Sequence, residues 1–160
     1  MATRGIPFLV EEALVSAMTS DFANSMAGVS IYDALGAELM TFPSVRVEVI
    51  KGHEQPENSG NFLCDVEIYV LGRMDPANNT TYATTASDHS AVCGGMHEFI
   101  TSTLAPSDLE TNPESASNNI KVHSIRLAGF DRSINTAEAV FEDIFTLEIY
   151  LNENDEGWSP

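Results

Sequence analysis

Strict two-residue alternation across residues 42–71 constrains this chain more than any other feature. Val45, Val47 and Val49 alternate with Ser44, Arg46 and Glu48. After a polar break, Phe62, Cys64, Val66, Ile68 and Val70 alternate with Asp65, Glu67 and Tyr69. A period of two in β-branched and aromatic residues puts one side of each strand in a core and the other in water. Between the arms, Gly52 to Asn61 carries Gly, Pro, Asn, Ser and Glu, which is turn chemistry. The pattern predicts an antiparallel hairpin with a long acidic tip and an apolar face that other elements must cover.

Helical periodicity on both sides supplies the cover. From Pro7 to Thr19, Leu9, Val10, Ala13, Leu14, Ala17 and Met18 fall on one face, with Glu11, Glu12 and Ser16 elsewhere. Pro7 suits a first helical turn, and the two early glutamates complement the helix dipole. Arg73 to Ala86 reads as a loop, and a second helix starts near Ser87 or Asp88, either of which can cap it. Its stripe is Val92, Met96, Phe99, Ile100 and Thr103, and it ends near Leu104 before Pro106. Residues 105–119 read as a 15-residue loop of Ser, Asn, Pro and acid, a length that points to a functional or mobile segment.

Two further strands follow. Ile120 to Leu127 changes phase between Val122 and Ile125, as a bulge near Ser124 would make it do. A loop over Gly129 to Ala137 leads to Val140 to Leu151, where Phe145, Leu147, Ile149 and Leu151 alternate with Ile144, Thr146, Glu148 and Tyr150. Asp21 to Thr41 shows no clear period; Ile31-Tyr32 and Glu38-Leu39-Met40 read as short strands or as an irregular lead-in. Residues 152–160 read as a flexible acidic tail. The whole predicts one α+β domain over 1–160: two layers, an antiparallel sheet of about four strands with a mixed edge left open, and helices packed on one face. The other face carries Glu48, Asp65, Glu67, Glu148 and Tyr150 and must meet water or a partner.

Charge excludes some functions. The chain holds 24 Asp plus Glu against 7 Lys plus Arg, a formal charge of −17. Neutralising nucleic-acid phosphates needs clustered cations, and an anionic membrane surface would repel this chain. No apolar run approaches the ~18 residues of a membrane span, and Ile6 to Val10, cut short by Glu11 and Glu12, is too brief and acidic for a signal peptide. Cys64 and Cys93 then read as reduced thiols.

Few residues suggest chemistry. His89, Cys93 and His97 are spaced four apart on the second helix. At about 100° per residue the three drift across roughly 80° of its surface, so adjacent pairs can chelate but all three do not easily meet one ion. The plainer reading has His89 beside the N-cap, Cys93 bordering the core and His97 facing out. There is no Cys-x-x-Cys, no His-Glu-x-x-His, no phosphate loop and no nucleophile elbow. Gly94-Gly95 reads as room for a packed neighbour. Tyr32, Tyr69, Tyr82 and Trp158 read as packing residues or interface anchors. No catalytic residue, metal or cofactor is expected.

The order of elements resembles the tail-terminator and head–tail joining (neck) proteins of long-tailed bacteriophages. The likeness lies in the amphipathic first helix, the Phe42-Pro43-Ser44-Val45-Arg46-Val47 lead into the hairpin, and Asp88-His89-Ser90 opening a helix that ends at Leu104. A long variable loop and two strands closing on Phe145-Thr146-Leu147-Glu148-Ile149-Tyr150-Leu151 complete it. The resemblance implies a structural virion protein, assembled in the host cytoplasm, that forms a ring, typically hexameric. Such a ring caps the tail tube, joins it to the head and lets DNA pass through its centre. Its partners would be copies of itself, the tail tube protein, the sheath protein if the tail contracts, and head connector or neck proteins. A neck adaptor or tail-completion protein is the alternative within the same assembly. Outside it stand a monomeric ligand-binding module and a metal-dependent enzyme using His89, Cys93 and His97. An acidic lumen would repel DNA phosphates and let a duplex slide. Candidate interface or lumen residues are Glu54, Glu57, Glu67, Glu148 and Tyr150.

Overall fold

A computed structural model describes residues 5–25, 29–33, 44–54, 61–73, 79–111, 120–135 and 140–153. Helix α1 (Ile6–Ser25) leads to strand β1 (Ser30–Asp33), then β2 (Ser44–Glu54) and β3 (Asn61–Arg73). Helix α2 (Asn79–Glu98) runs on into a wide π turn (Phe99–Thr103), and a short α3 (Pro106–Glu110) follows. Strands β4 (Ile120–Asn135) and β5 (Val140–Glu153) complete the described chain. The class is α+β: an open five-stranded sheet of order β1-β2-β3-β5-β4 with helices on one side.

The hairpin is β2 against β3, with Val45 opposite Val70 and Val47 opposite Ile68. On the far side of β3, β5 sets Leu147 opposite Val66 and Phe145 opposite Ile68. These inward residues are buried with Leu9, Leu14 and Met18 of α1, Val92 and Met96 of α2, and Leu109 of α3 in one apolar cluster. Burying side chains of this size at about 25 cal/mol per Å² of apolar surface is what holds the two layers together. Glycine makes the approach close where α1 meets β2: a Cβ on Gly52 would lie 3.2 Å from Pro7 Cγ and 3.4 Å from Cys64 Sγ, tight enough that its neighbours would have to give.

Among the described residues three bulges break the ladders, and two of them have a helix glutamate beside them. The register slips between Val49 and Lys51, where Glu11 of α1 accepts a hydrogen bond from the Val49 N–H at 3.2 Å. It slips again between Val122 and Ser124, where Glu110 accepts from the Val122 N–H at 2.8 Å. The carboxylates satisfy strand donors that would otherwise be costly to bury. Glu11, expected away from the core, is therefore drawn in and buried.

Several boundaries differ from the sequence reading. Among the described residues the sheet has five strands, because Ile31-Tyr32 does form a strand, β1, running parallel to β2 as the mixed edge. Helix α2 starts at Asn79, not near Ser87, so most of the loop expected over Arg73–Ala86 is helix. Pro106 opens α3 inside the expected loop, with Asp108 accepting from the Ala105 N–H at 2.8 Å, a good helix start. Strand β4 continues through Gly129 to Asn135 by way of another bulge between Leu127 and Gly129. Strand β5 runs through Asn152 and Glu153, which had read as tail. Beyond Gly94 a Cβ would meet open space, so that glycine admits no neighbour. Glu38-Leu39-Met40, Trp158, Glu57 and residues 112–119 lie outside the described residues, as does the side chain of Tyr82.

Candidate functional site

A fully buried carboxylate on an inward strand position organises a polar cluster inside the apolar layer. Strand β5 alternates Phe141, Asp143, Phe145 and Leu147 on its helix side, and Asp143 is only 1% exposed. Cys93 donates its thiol hydrogen to Asp143 Oδ2 across 2.8 Å. His89 Nε2 lies 3.5 Å from Cys93 Sγ and 3.5 Å from the same Asp143 oxygen. From the neighbouring strand β4, directly opposite Asp143 in register, Arg132 closes a two-pronged ion pair: Nε to Oδ1 and Nη2 to Oδ2, each 2.9 Å. His89, Cys93 and Asp143 are all buried, and one ligand atom from each lies within 4.8 Å of the others.

Helical spacing and strand pairing build this group together. Residues four apart on α2 share a face, so His89 and Cys93 both turn to the sheet. The His89 ring stacks on Phe141 at 5.2 Å between centroids. Its other edge rests on Gly72 of β3, where a Cβ would come within 2.8 Å of Nδ1. Only glycine admits the imidazole there. Nδ1 itself is buried with no hydrogen-bond partner among the described residues.

Electrostatics follow from burial and the Arg132–Asp143 pair. Burial pushes the Asp143 carboxyl up, but the Arg132 guanidinium, the Cys93 thiol and the His89 ring outweigh it and hold the group below its usual range. Burial, reinforced by the hydrogen bond to Asp143 and its charge, drives the Cys93 thiol well above an ordinary cysteine. Burial also lowers His89, and Asp143 only partly opposes it. The resting cluster is thus a carboxylate with a neutral thiol and a neutral imidazole, paired with one guanidinium. A thiol so protected is no nucleophile.

His97 does not join this group. It sits at a tilt to Phe145, 6.5 Å between ring centroids, so the third partner of His89 and Cys93 is Asp143. The expected position of His89 beside an N-cap also fails, because α2 begins ten residues earlier at Asn79. Asp143 went unread in the sequence as one carboxylate among many, although its inward phase on an alternating strand marked it out. Cys64, the other cysteine, is a free buried thiol whose value burial raises to about 11.

The expected interface residues divide between two places. Glu67, Glu148 and Tyr150 lie on the helix-free face, as strand alternation implies. There Tyr69 donates its hydroxyl to Glu67, Arg126 pairs with Glu148 at 2.7 Å, and Tyr150 lies 5.3 Å from the His123 ring. Arg46 covers the Tyr69 ring at 4.4 Å. Glu54 is at the far end of β2, opposite Phe62, in phase with the helix side and apart from these three. Comparison with protein-family models and comparison with curated proteins each found no match.

Proposed function

We propose that this chain is a structural virion protein of the tail-terminator kind, which forms a ring, caps the tail tube and joins it to the head with DNA passing through. The observation that carries the reading is the one-sided sheet. Among the described residues its helices cover one face, and the other face and the edge strand β4 are the surfaces offered to neighbours. Charge favours neighbours that are copies. Three of the chain's seven basic residues, Lys121, Arg126 and Arg132, stand on β4, while the chain as a whole is at −17. In a ring, each copy presents two different patches, one of which meets the other on the next copy. Lys121, with the exposed parts of Arg126 and Arg132 beside their own carboxylates, against an acidic surface would be such a pair, and it would set register more than affinity. The carboxylates left over, Glu54 and Glu57 among them, suit a lumen through which DNA slides.

Size-exclusion chromatography with light scattering, followed by negative-stain imaging, tests this. The expected result is a closed ring, either from the purified chain or on tail tubes recovered from a lysate. A chain that stays monomeric alone and does not bind tubes overturns it; binding to head connectors in place of tubes makes it a neck adaptor. Replacing Glu54 and Glu57 together by Lys should lower the yield of infectious particles, and a normal yield removes them from the lumen.

A further inference from the structure

We propose that His89 Nε2, Cys93 Sγ and Asp143 Oδ2 form a binding site for one divalent transition-metal ion of zinc's class, which fastens α2 to the sheet. The donor set is one imidazole nitrogen, one thiolate sulfur and one carboxylate oxygen, the three ligand types zinc uses. Two come from positions four apart on one helix and the third from a facing strand, so a single ion reaches across both layers.

Triangle geometry supports an ion over a simple hydrogen-bonded network. With zinc at about 2.3 Å from sulfur and about 2.0–2.2 Å from nitrogen and oxygen, tetrahedral angles put the S···N pair about 3.6 Å apart and the N···O pair about 3.4 Å apart. The corresponding distances here are both 3.5 Å. Only the S···O side is short, at 2.8 Å, because the thiol hydrogen bonds to the carboxylate. Metal binding replaces that hydrogen: the Cys93 proton leaves to solvent, the thiolate and carboxylate open by under about an ångström, and the ion sits between them.

His89 gains most. As a hydrogen-bonding group it is poorly served among the described residues, with two long contacts at Nε2 and no partner at Nδ1. Buried polar atoms without good partners cost free energy, and a metal bond at Nε2 offsets that. Groups outside the triangle already orient the ligands as second partners do in metal sites. Phe141 stacks on the imidazole, Gly72 beside it leaves the ring its room, and Arg132 holds the carboxylate. Asp143 Oδ2 keeps a lone pair for the ion while the other accepts from Arg132 Nη2. A dication with one thiolate, one carboxylate and one guanidinium sums to a single positive charge, acceptable in a chain this acidic. Ring assembly is not assumed anywhere here, so the site stands or falls apart from it.

Cobalt(II) tests the site because its spectrum reports both sulfur ligation and geometry. The full-length chain, stripped of metal, should bind one equivalent with a thiolate charge-transfer band and four-coordinate visible bands, and zinc should displace it. Cys93→Ser should abolish the charge-transfer band, His89→Gln should weaken binding more than about tenfold, and His97→Ala should change neither. The wild-type melting midpoint should rise with the logarithm of free zinc; this needs no variant to fold. Absence of saturable cobalt binding by the folded wild type overturns the proposal. So does a spectrum without a sulfur band, or binding that depends on His97.

Discussion

Strand β5 carries two carboxylates that meet two arginines of β4 in register, and the sheet treats the pairs differently. Glu148 and Arg126 face the helix-free side, joined at 2.7 Å with 34% and 65% of their side chains exposed. Asp143 and Arg132 face the helix side, joined at 2.9 Å, and there the carboxylate is 1% exposed while the arginine is 56% exposed. Chemically the pairs are alike. Water competes for every lone pair of Glu148, so its bond to Arg126 is one exchange among many. Asp143 has lost its water, so each lone pair must find a protein group, and it has gathered a guanidinium, a thiol and an imidazole. Burial, not the ion pair itself, turns a carboxylate into an organising centre.

Cutting the buried pair should give the largest effect. Arg132→Ala leaves a desolvated carboxylate without its counterion and should cost about 3 kcal/mol, read as a lower urea midpoint at unchanged slope. Asp143→Asn in that background should recover part of the loss, because the buried charge is gone; no recovery would mean Arg132 acts by packing on Phe130, whose ring lies 5.7 Å from its guanidinium. Acid sharpens the point. The folded-state value of Asp143 is depressed, so its contribution is complete above the ordinary carboxylate value and is lost as pH falls through the depressed one. Without Arg132, burial acts on the carboxyl with less opposition, its folded value rises, and acid unfolding should begin at higher pH.

Next in size is Gly72→Ala. The new Cβ would lie 2.8 Å from His89 Nδ1 and 3.1 Å from Cγ, in a ring that also stacks on Phe141. Overpacking of this kind costs about 1–3 kcal/mol, and the denaturation midpoint should fall accordingly. Gly129→Ala is the control, since a Cβ there meets nothing. Equal losses from the two would mean that strand glycines matter here only for backbone freedom.

The same contrast between faces explains what could be read from the sequence. The β2–β3 hairpin was legible because one side of each strand faces apolar side chains and the other faces water, which writes a period of two into Val45 to Val70. Helix α1 was legible for the same reason at a period near four. The start of α2 was not: Thr80, Thr81, Thr84 and Thr85 carry weak helix propensity and follow turn residues, yet the helix begins at Asn79. Bulges hid the second half of β4, since each slip reverses which residues point inward. His89 and Cys93 stood out by their spacing, but that spacing nominated His97 as their companion. Their true companion is fifty residues beyond Cys93 and comes close only through tertiary packing.

On the helix-free face the effects should shrink. Burial, then the hydrogen bond to Glu67 and the charges of Glu67 and Glu48, raise the Tyr69 hydroxyl from 10.0 to about 12, with Arg46 opposing. Its neutral form is the one the fold prefers, so its contribution is whole below pH 10 and disappears as pH climbs toward 12. A phenolate absorbance titration should show one late-titrating tyrosine that Tyr69→Phe removes, with little change in stability at neutral pH. An ordinary titration would mean that the Tyr69–Glu67 bond does not persist in water.

The smallest effect belongs to the pair that opened the comparison. Glu148→Ala and Arg126→Ala should each leave the urea midpoint nearly unmoved, and the double variant should show coupling within the error of the cycle. Lys51, Asp65, Glu148 and Arg126 stand in one cross-strand row, so removing one charge leaves neighbours of both signs to readjust. Cross-strand pairs of opposite charge reach about 1 kcal/mol only when their geometry is held, and here water reaches both partners. Added salt should weaken whatever coupling is found, whereas the Arg132–Asp143 coupling should survive it. If Glu148 and Arg126 couple as strongly as Asp143 and Arg132, and salt leaves both alone, then burial is not what separates the two pairs.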